Sequence, residues 1–168
     1  MPYFSVRFLS LKYTVMSAPV LAYLYQRELG KVLTELKAYT SAEALWTAVP
    51  GTINTGGHLA QHLVGNLRTY IGMGVGNIAY QRNRDAEFNS RGFTLEQLQA
   101  EFEELVVLVP GIIGSLTEAD LQKEYPADIL VTNGGNTVDY VLWHLLSHLS
   151  YHLGQLNYQR RYTGAVAG

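Results

Sequence analysis

Apolar residues recur at three- and four-residue steps through four stretches of the chain, the pattern of helices that each bury one face. From Pro19 to Tyr39 the stripe reads Leu21, Leu24, Tyr25, Leu29, Val32, Leu33 and Leu36, with Arg27, Glu28, Lys31, Glu35 and Lys37 mostly on the other side. After a short turn at Ser41 to Trp46 and a break at Pro50-Gly51, Asn54 or Thr55 caps a second helix reaching about Ile71, with Leu59, Leu63, Leu67 and Tyr70 inward. Gly72, Gly74 and Gly76 end it, and the polar stretch through Gly92 reads as a long surface loop. Thr94 and Gln97 form a capping box for a third helix carrying Leu95, Leu98, Phe102, Leu105, Val106 and Val109, which Pro110-Gly111 is expected to kink or interrupt before Leu116. Thr117 to Asp120 repeats the capping pattern, Tyr125 to Thr132 reads as an extended segment lying over the bundle, and Asn133-Gly134-Gly135-Asn136 as a turn. Thr137 caps a last helix to about Tyr162 that buries Val138, Val141, Leu142, Leu145, Leu146, Leu149, Leu153 and Leu156.

Four substantial helices, no strand partners and no repeats predict an all-α fold, an antiparallel four-helix bundle with a long loop or crossover between helices 2 and 3. At 168 residues the chain suits one domain, residues 16–168, preceded by an N-terminal extension over residues 1–15. Met16, Ser17, Ala18 and Pro19 look like a natural start just ahead of a helix.

Composition narrows the chemistry. The formal charge of −2 is spread along the chain, so no basic face exists to hold a nucleic acid, and every apolar run is interrupted before the roughly 20 residues of a membrane span. The expectation is a cytoplasmic protein with neither nucleic acid nor membrane as partner. With no cysteine, a metal here must be bound by nitrogen or oxygen.

The histidines change the picture most. All five lie in two predicted helices, His58 and His62 in the second and His144, His148 and His152 in the last, each four residues from the next. That spacing stacks imidazoles on one helix face, so a pair can hold one metal and a facing helix can add a third ligand. Isolated pairs at this spacing are common in helices; two sets in one small cysteine-free chain point to a metal centre. Each four-residue step drifts by about 40°, so three successive histidines span about 80° and only two are expected to face one ion. Spacing leaves His144/His148 and His148/His152 open, and His148 belongs to either.

The run Ser147-His148-Leu149-Ser150-Tyr151-His152-Leu153-Gly154-Gln155 resembles the HxxxHxGQ signature of the DinB/YfiT-like superfamily. His58-Leu59-Ala60-Gln61-His62-Leu63-Val64-Gly65-Asn66-Leu67-Arg68 resembles the helix that supplies that superfamily's first histidine, and Tyr80 to Phe88 resembles a motif of its DUF1572-type branch. The resemblance runs from about residue 17 to 162. It implies a four-helix bundle, commonly a homodimer, with a mononuclear three-histidine site for zinc or nickel, iron or manganese being further options. Carried over by position, the ligands are His62, His148 and His152. His58 and His144 are left as supporting or core histidines, His58 standing in if His62 points away. Asn66 and Gln155, one turn beyond ligands, are candidates to orient a ligand or bound water, or to satisfy buried polar groups.

Where many members carry histidine and arginine this chain has Tyr151 and Leu153, so no cationic substrate contact is expected at those places. Arg82 to Asp85 reads as a solvated, salt-bridged loop; the alternative brings it to the metal pocket with Glu87 as an extra ligand or general base. The function expected is that of a metal-dependent enzyme, a thiol transferase or hydrolase using a low-molecular-weight thiol or other small molecule. The alternative is a non-catalytic metal-binding or stress-response bundle. Twelve tyrosines in a chain with few charges agree with a homodimer.

Overall fold

A computed structural model describes residues 18–126, 129–130 and 135–166. The expected extension over residues 1–15 and the Met16-Ser17 start lie outside them, as do Val131, Thr132 and the Asn133-Gly134 half of the expected turn.

Among the described residues the helices are α1 (Ala18–Lys37), α2 (Ala42–Trp46), α3 (Gly56–Leu67), α4 (Arg84–Asn89), α5 (Leu95–Gly114), α6 (Glu118–Leu121) and α7 (Val138–Val166). Short polar side chains start most of them. Ser41, Thr55, Asn83, Thr94 and Thr117 each accept a hydrogen bond from the backbone N–H three residues on, satisfying a donor that the first turn leaves free.

The long helices α1, α3, α5 and α7 form the bundle. Tyr25 Oη donates to Leu142 O at 2.5 Å and Asn157 Nδ2 to Glu35 Oε1 at 2.7 Å, so α1 and α7 run in the same direction. Gln99 Nε2 donates to Leu36 O, and the far end of α5 at Gly114 packs on Ala22, so α5 opposes α1. Gly56 approaches Leu156 while His62 meets His148, so α3 opposes α7. Consecutive long helices α3 and α5 are therefore parallel, and their connection must travel back along the bundle. That return is the expected crossover. The core it closes over includes Leu21, Tyr25, Leu29, Val32, Leu63, Leu67, Phe102, Leu105, Leu142 and Leu149. No helix among the described residues is long and apolar enough to cross a membrane.

Four local expectations are corrected. The stretch from Gly72 to Gly92 is not loop throughout: α4 forms within it, its cap Asn83 and its first-turn Asp85 and Glu87 suiting a helix start too short to show a period. Of the kink or interruption expected at Pro110-Gly111, the interruption is absent, since α5 runs on to Gly114 with Pro110 inside it. Of the expected extended segment Tyr125 to Thr132, Tyr125 lies beside the Glu124–Thr137 bridge, but the Ile129 N–H turns back to the Pro126 carbonyl at 3.1 Å, so the described part is not extended throughout. Glu28 is 5% exposed and held by Arg27 (2.7 Å) and Lys31 (2.9 Å) rather than free in solvent.

The end of α3 matters for the site. The helix continues through a π-helical turn, Arg68–Met73, in which the Gly74 and Gly76 N–H groups reach the carbonyls of Thr69 and Ile71 five residues back. Gly74 is required there, since a Cβ would lie 2.0 Å from Tyr125 Oη, which donates to Tyr70 O.

Candidate metal centre

His62 comes from the middle of α3, and His148 and His152 from successive turns of α7. Because α3 and α7 pack antiparallel with these turns opposite, the three rings converge. His62 Nε2 and His152 Nε2 lie 3.2 and 3.1 Å from His148 Nε2, and one nitrogen from each ring falls within 4.8 Å of the others. Zinc–imidazole bonds of about 2.0–2.1 Å in tetrahedral array put neighbouring nitrogens about 3.3 Å apart, so the donor spacing suits one ion.

The outer ring nitrogens settle which lone pairs point inward. His62 Nδ1 is 2.8 Å from Glu87 Oε2, and a carboxylate only accepts, so Nδ1 carries the proton and Nε2 a lone pair. Arg82 Nη2 also approaches Nδ1, at 3.3 Å, but the shorter carboxylate contact decides the tautomer. His152 Nδ1 donates to Gln155 Oε1 at 2.7 Å, leaving its Nε2 a lone pair as well. A neutral His148 carries at most one proton on Nε2 and satisfies one of its two neighbours. The other contact sets two lone pairs against each other unless a cation lies between them. His148 Nδ1 is buried with no hydrogen-bond partner among the described residues. This donor set fits a metal ion and poorly fits an ordinary buried hydrogen-bond network.

The carboxylate behind His62 is itself clamped. Glu87, 6% exposed, receives Arg82 Nε at 2.6 Å on Oε1 and Arg82 Nη2 at 2.8 Å on Oε2, a two-pronged pair, and the Arg82 guanidinium lies over the Tyr70 ring. Burial works to raise the Glu87 pKa, but hydrogen bonds from Arg82 and His62 outweigh it and hold it below its ordinary value. α3 makes room for this pair at Gly65, where a Cβ would stand 2.0 Å from Glu87 Oε1. Gln61, 2% exposed, pins the crossover in place: its Nε2 donates to the carbonyls of Glu87 (2.5 Å) and Ser90 (2.8 Å), and its Oε1 accepts from Gly92 N–H.

The expected site residues separate accordingly. His62, His148 and His152 are brought together. Gln155 touches His152, and Asn66, 5% exposed, has a buried Oδ1 with no hydrogen-bond partner among the described residues. His144 is exposed, which corrects its reading as a core histidine; it lies on the cavity rim. His58 faces away: its Nδ1 accepts from Thr55 N–H at 3.3 Å as part of the α3 cap, and its ring packs edge-on against Trp46. Glu87 sits behind His62, outside the cluster of three nitrogens, so as an extra ligand it is not in place. Asn83 to Asp85 are exposed as the solvated-loop reading expected, but Arg84 and Asp85 open α4 rather than a loop, and the reading fails for Arg82. Gln61 and Gly65 were missed as parts of the site, and Arg82 entered only through the alternative that brought its segment to the metal pocket. A glutamine between two histidines on an apolar helix was the available signal for Gln61; nothing local distinguished Gly65.

A cavity of about 260 Å3 opens onto His62 and His148, lined also by Asn66, Tyr70, Arg82, Arg84, His144 and Leu145. A larger one, about 720 Å3, lies between the segment around Ile53 and the α7 tyrosines 151, 158 and 162, and meets the cluster at His152 through Gln155 and the edge-on Tyr151 ring. The chemistry places the site at the smaller cavity.

Burial lowers the pKa of His148 to about 4, with the charges of His152, His62, His144 and Arg82 adding to the effect; burial also lowers His152, against the hydrogen bond to Gln155. In the metal-free protein the unfolded histidines take up protons near about 6.5. Between there and about 4 the unfolded state binds more protons, so stability is full above the upper value and is lost as pH falls through this window. Melts of chelator-treated protein are expected to fall in midpoint from about pH 7 to 4.5, more steeply for wild type than for His148→Leu. Parallel curves for the two proteins would contradict this.

Fold and site together define a DinB-like helical bundle with a three-histidine cluster able to hold a metal ion. The chain belongs to the DUF1572 family, described as a protein of unknown function, whose model matches residues 23–164. Its fold is similar to the crystal structure of a DinB-like protein from Bacillus cereus, with a TM-score of 0.63 and 17% identity over 87% of this chain and 91% of that one. No curated protein matches the chain.

Proposed function

We propose that the protein is a metal-dependent enzyme in which His62, His148 and His152 hold one divalent transition ion, zinc or nickel before iron or manganese, for thiol-transferase or hydrolase chemistry on a small molecule. The observation that carries this reading is the convergence of three imidazole Nε2 atoms, two of them with their outer nitrogens held by Glu87 and Gln155. Such an ion lowers the pKa of a thiol or water and supplies a nucleophile at neutral pH.

The chain's own part is to aim three neutral imidazoles at one point from two packed helices, with Glu87 and Gln155 preventing rotation of His62 and His152. Three ligands leave a tetrahedral ion one position short, and no fourth carboxylate or histidine joins the cluster among the described residues. The cavity along His62 and His148 gives a small molecule access to that point.

The same reading includes a cytoplasmic homodimer. Ile53, Tyr151, Tyr158 and Tyr162, all exposed and lining the larger cavity, support the dimer, since an apolar surface rich in tyrosine suits a protein interface.

An open position separates the enzyme from a storage or stress-response bundle. Cobalt-loaded protein, one ion per chain, is expected to change its visible spectrum when azide is added. A cobalt spectrum indifferent to azide would mean a closed, non-catalytic site.

A further inference from the structure

We propose that the cavity beside the histidines selects a small ligand bearing an anionic group, with the Arg84 guanidinium receiving that group while the ligand's other end reaches the imidazole cluster. This rests on the metal-site reading above.

Two arginines line the cavity, and they are differently placed. Arg82 is committed to Glu87, whose two oxygens it already engages. Arg84 is exposed and its side chain makes no hydrogen bond or ion pair among the described residues. Among the described residues no aspartate or glutamate lines this cavity. Asp85 lines the neighbouring outer cleft and is not paired with Arg84. With the Arg82 charge balanced by Glu87, the Arg84 guanidinium is left without a counter-charge among the described residues next to the cluster, and a guanidinium with free donors is suited to a carboxylate, sulfonate or phosphate.

A second observation points to a ligand in the same space. Asn66 lines the cavity, and its buried Oδ1 lacks a donor among the described residues. Leaving a buried acceptor unsatisfied is costly, and a hydroxyl, thiol or amide proton on the ligand would satisfy it. Tyr70 and Leu145 give the cavity apolar wall between these polar points. At about 260 Å3 it lies below the range of ordinary drug-sized sites, which limits the ligand to a small molecule.

The test uses the whole chain loaded with cobalt, a visible stand-in for zinc, and two thiols of equal spacer length: mercaptopropanesulfonate, whose sulfonate is a poor metal ligand, and uncharged mercaptopropanol. The cobalt spectrum is recorded before any thiol is added, so failure of the metal site shows at that stage as an absent spectrum and overturns both readings. With cobalt bound, the sulfonate is expected to bind about tenfold more tightly than the alcohol in wild type. Arg84→Gln is expected to bring the two within about twofold while leaving cobalt affinity and the alcohol's affinity unchanged, and Arg84→Lys to keep part of the preference. Equal binding of the two thiols by cobalt-loaded wild type, or a preference undiminished in Arg84→Gln, would overturn the anion site and leave the metal centre standing.

Discussion

Alanine at position 148 is expected to empty the metal site, taking the protein from about one divalent ion per chain to under about a tenth of that. His148 Nε2 is the common neighbour of the other two donors, at 3.2 Å from His62 and 3.1 Å from His152, so its removal leaves two imidazoles on different helices with no ligand bridging them. Any ion that binds the folded state alone adds stability that grows with its concentration over its dissociation constant, about 2.7 kcal/mol at a hundredfold excess. Wild type should therefore melt several degrees lower with chelator, and His148→Ala should be indifferent to it. Elemental analysis and paired melts read both outcomes. Stoichiometric metal retained by His148→Ala would sink the three-histidine site.

Removing the carboxylate behind His62 is expected to damage stability and metal binding together. Glu87→Ala leaves the Arg82 guanidinium, whose side chain is 12% exposed, without its partner, and breaking a buried pair from one side typically costs about 3–5 kcal/mol. It also frees His62 to rotate, and losing the partner of a ligating histidine weakens metal affinity by roughly 10- to 100-fold. Arg82→Ala added to Glu87→Ala should recover part of the stability, because the stranded charge is gone, yet leave metal affinity low, because His62 still has no acceptor. Denaturant unfolding of metal-free protein and competition with a chromophoric chelator separate the two effects. If the double variant is less stable than Glu87→Ala alone, the stranded-charge account is wrong.

The chain's own pattern reached a long way. The period of Leu21 to Leu36, Leu95 to Val109 and Val138 to Leu156 marked the long helices, and Thr55, Thr94, Thr117 and Thr137 marked starts, because both signals depend on residues three or four positions apart. The same locality limited it at the site. Four-residue spacing offered two pairs on the last helix and one on the second, and the signature around Gln155 was what singled out His148 and His152. Spacing alone treats His58 and His62 alike, yet His58 caps α3 against Trp46 while His62 faces α7.

By itself the sequence determined the four long helices, most of the caps, the need for a long connection between the second and third, and a metal-ligand inventory confined to histidine and carboxylate. Tertiary structure decided that the three imidazoles named by the resemblance do meet, that Arg82 and Glu87 stand behind His62 rather than in solvent, that Gln61 holds the crossover, and that the Arg84 side chain lines the cavity beside the cluster with no partner among the described residues. The physical reason is separation along the chain: His62 and His148 are 86 residues apart, and His62 and Glu87 are 25 apart. No local period carries information over such intervals. Only the packing of α3 against α7, and the direction in which the crossover returns along α3, brings those groups within bonding distance.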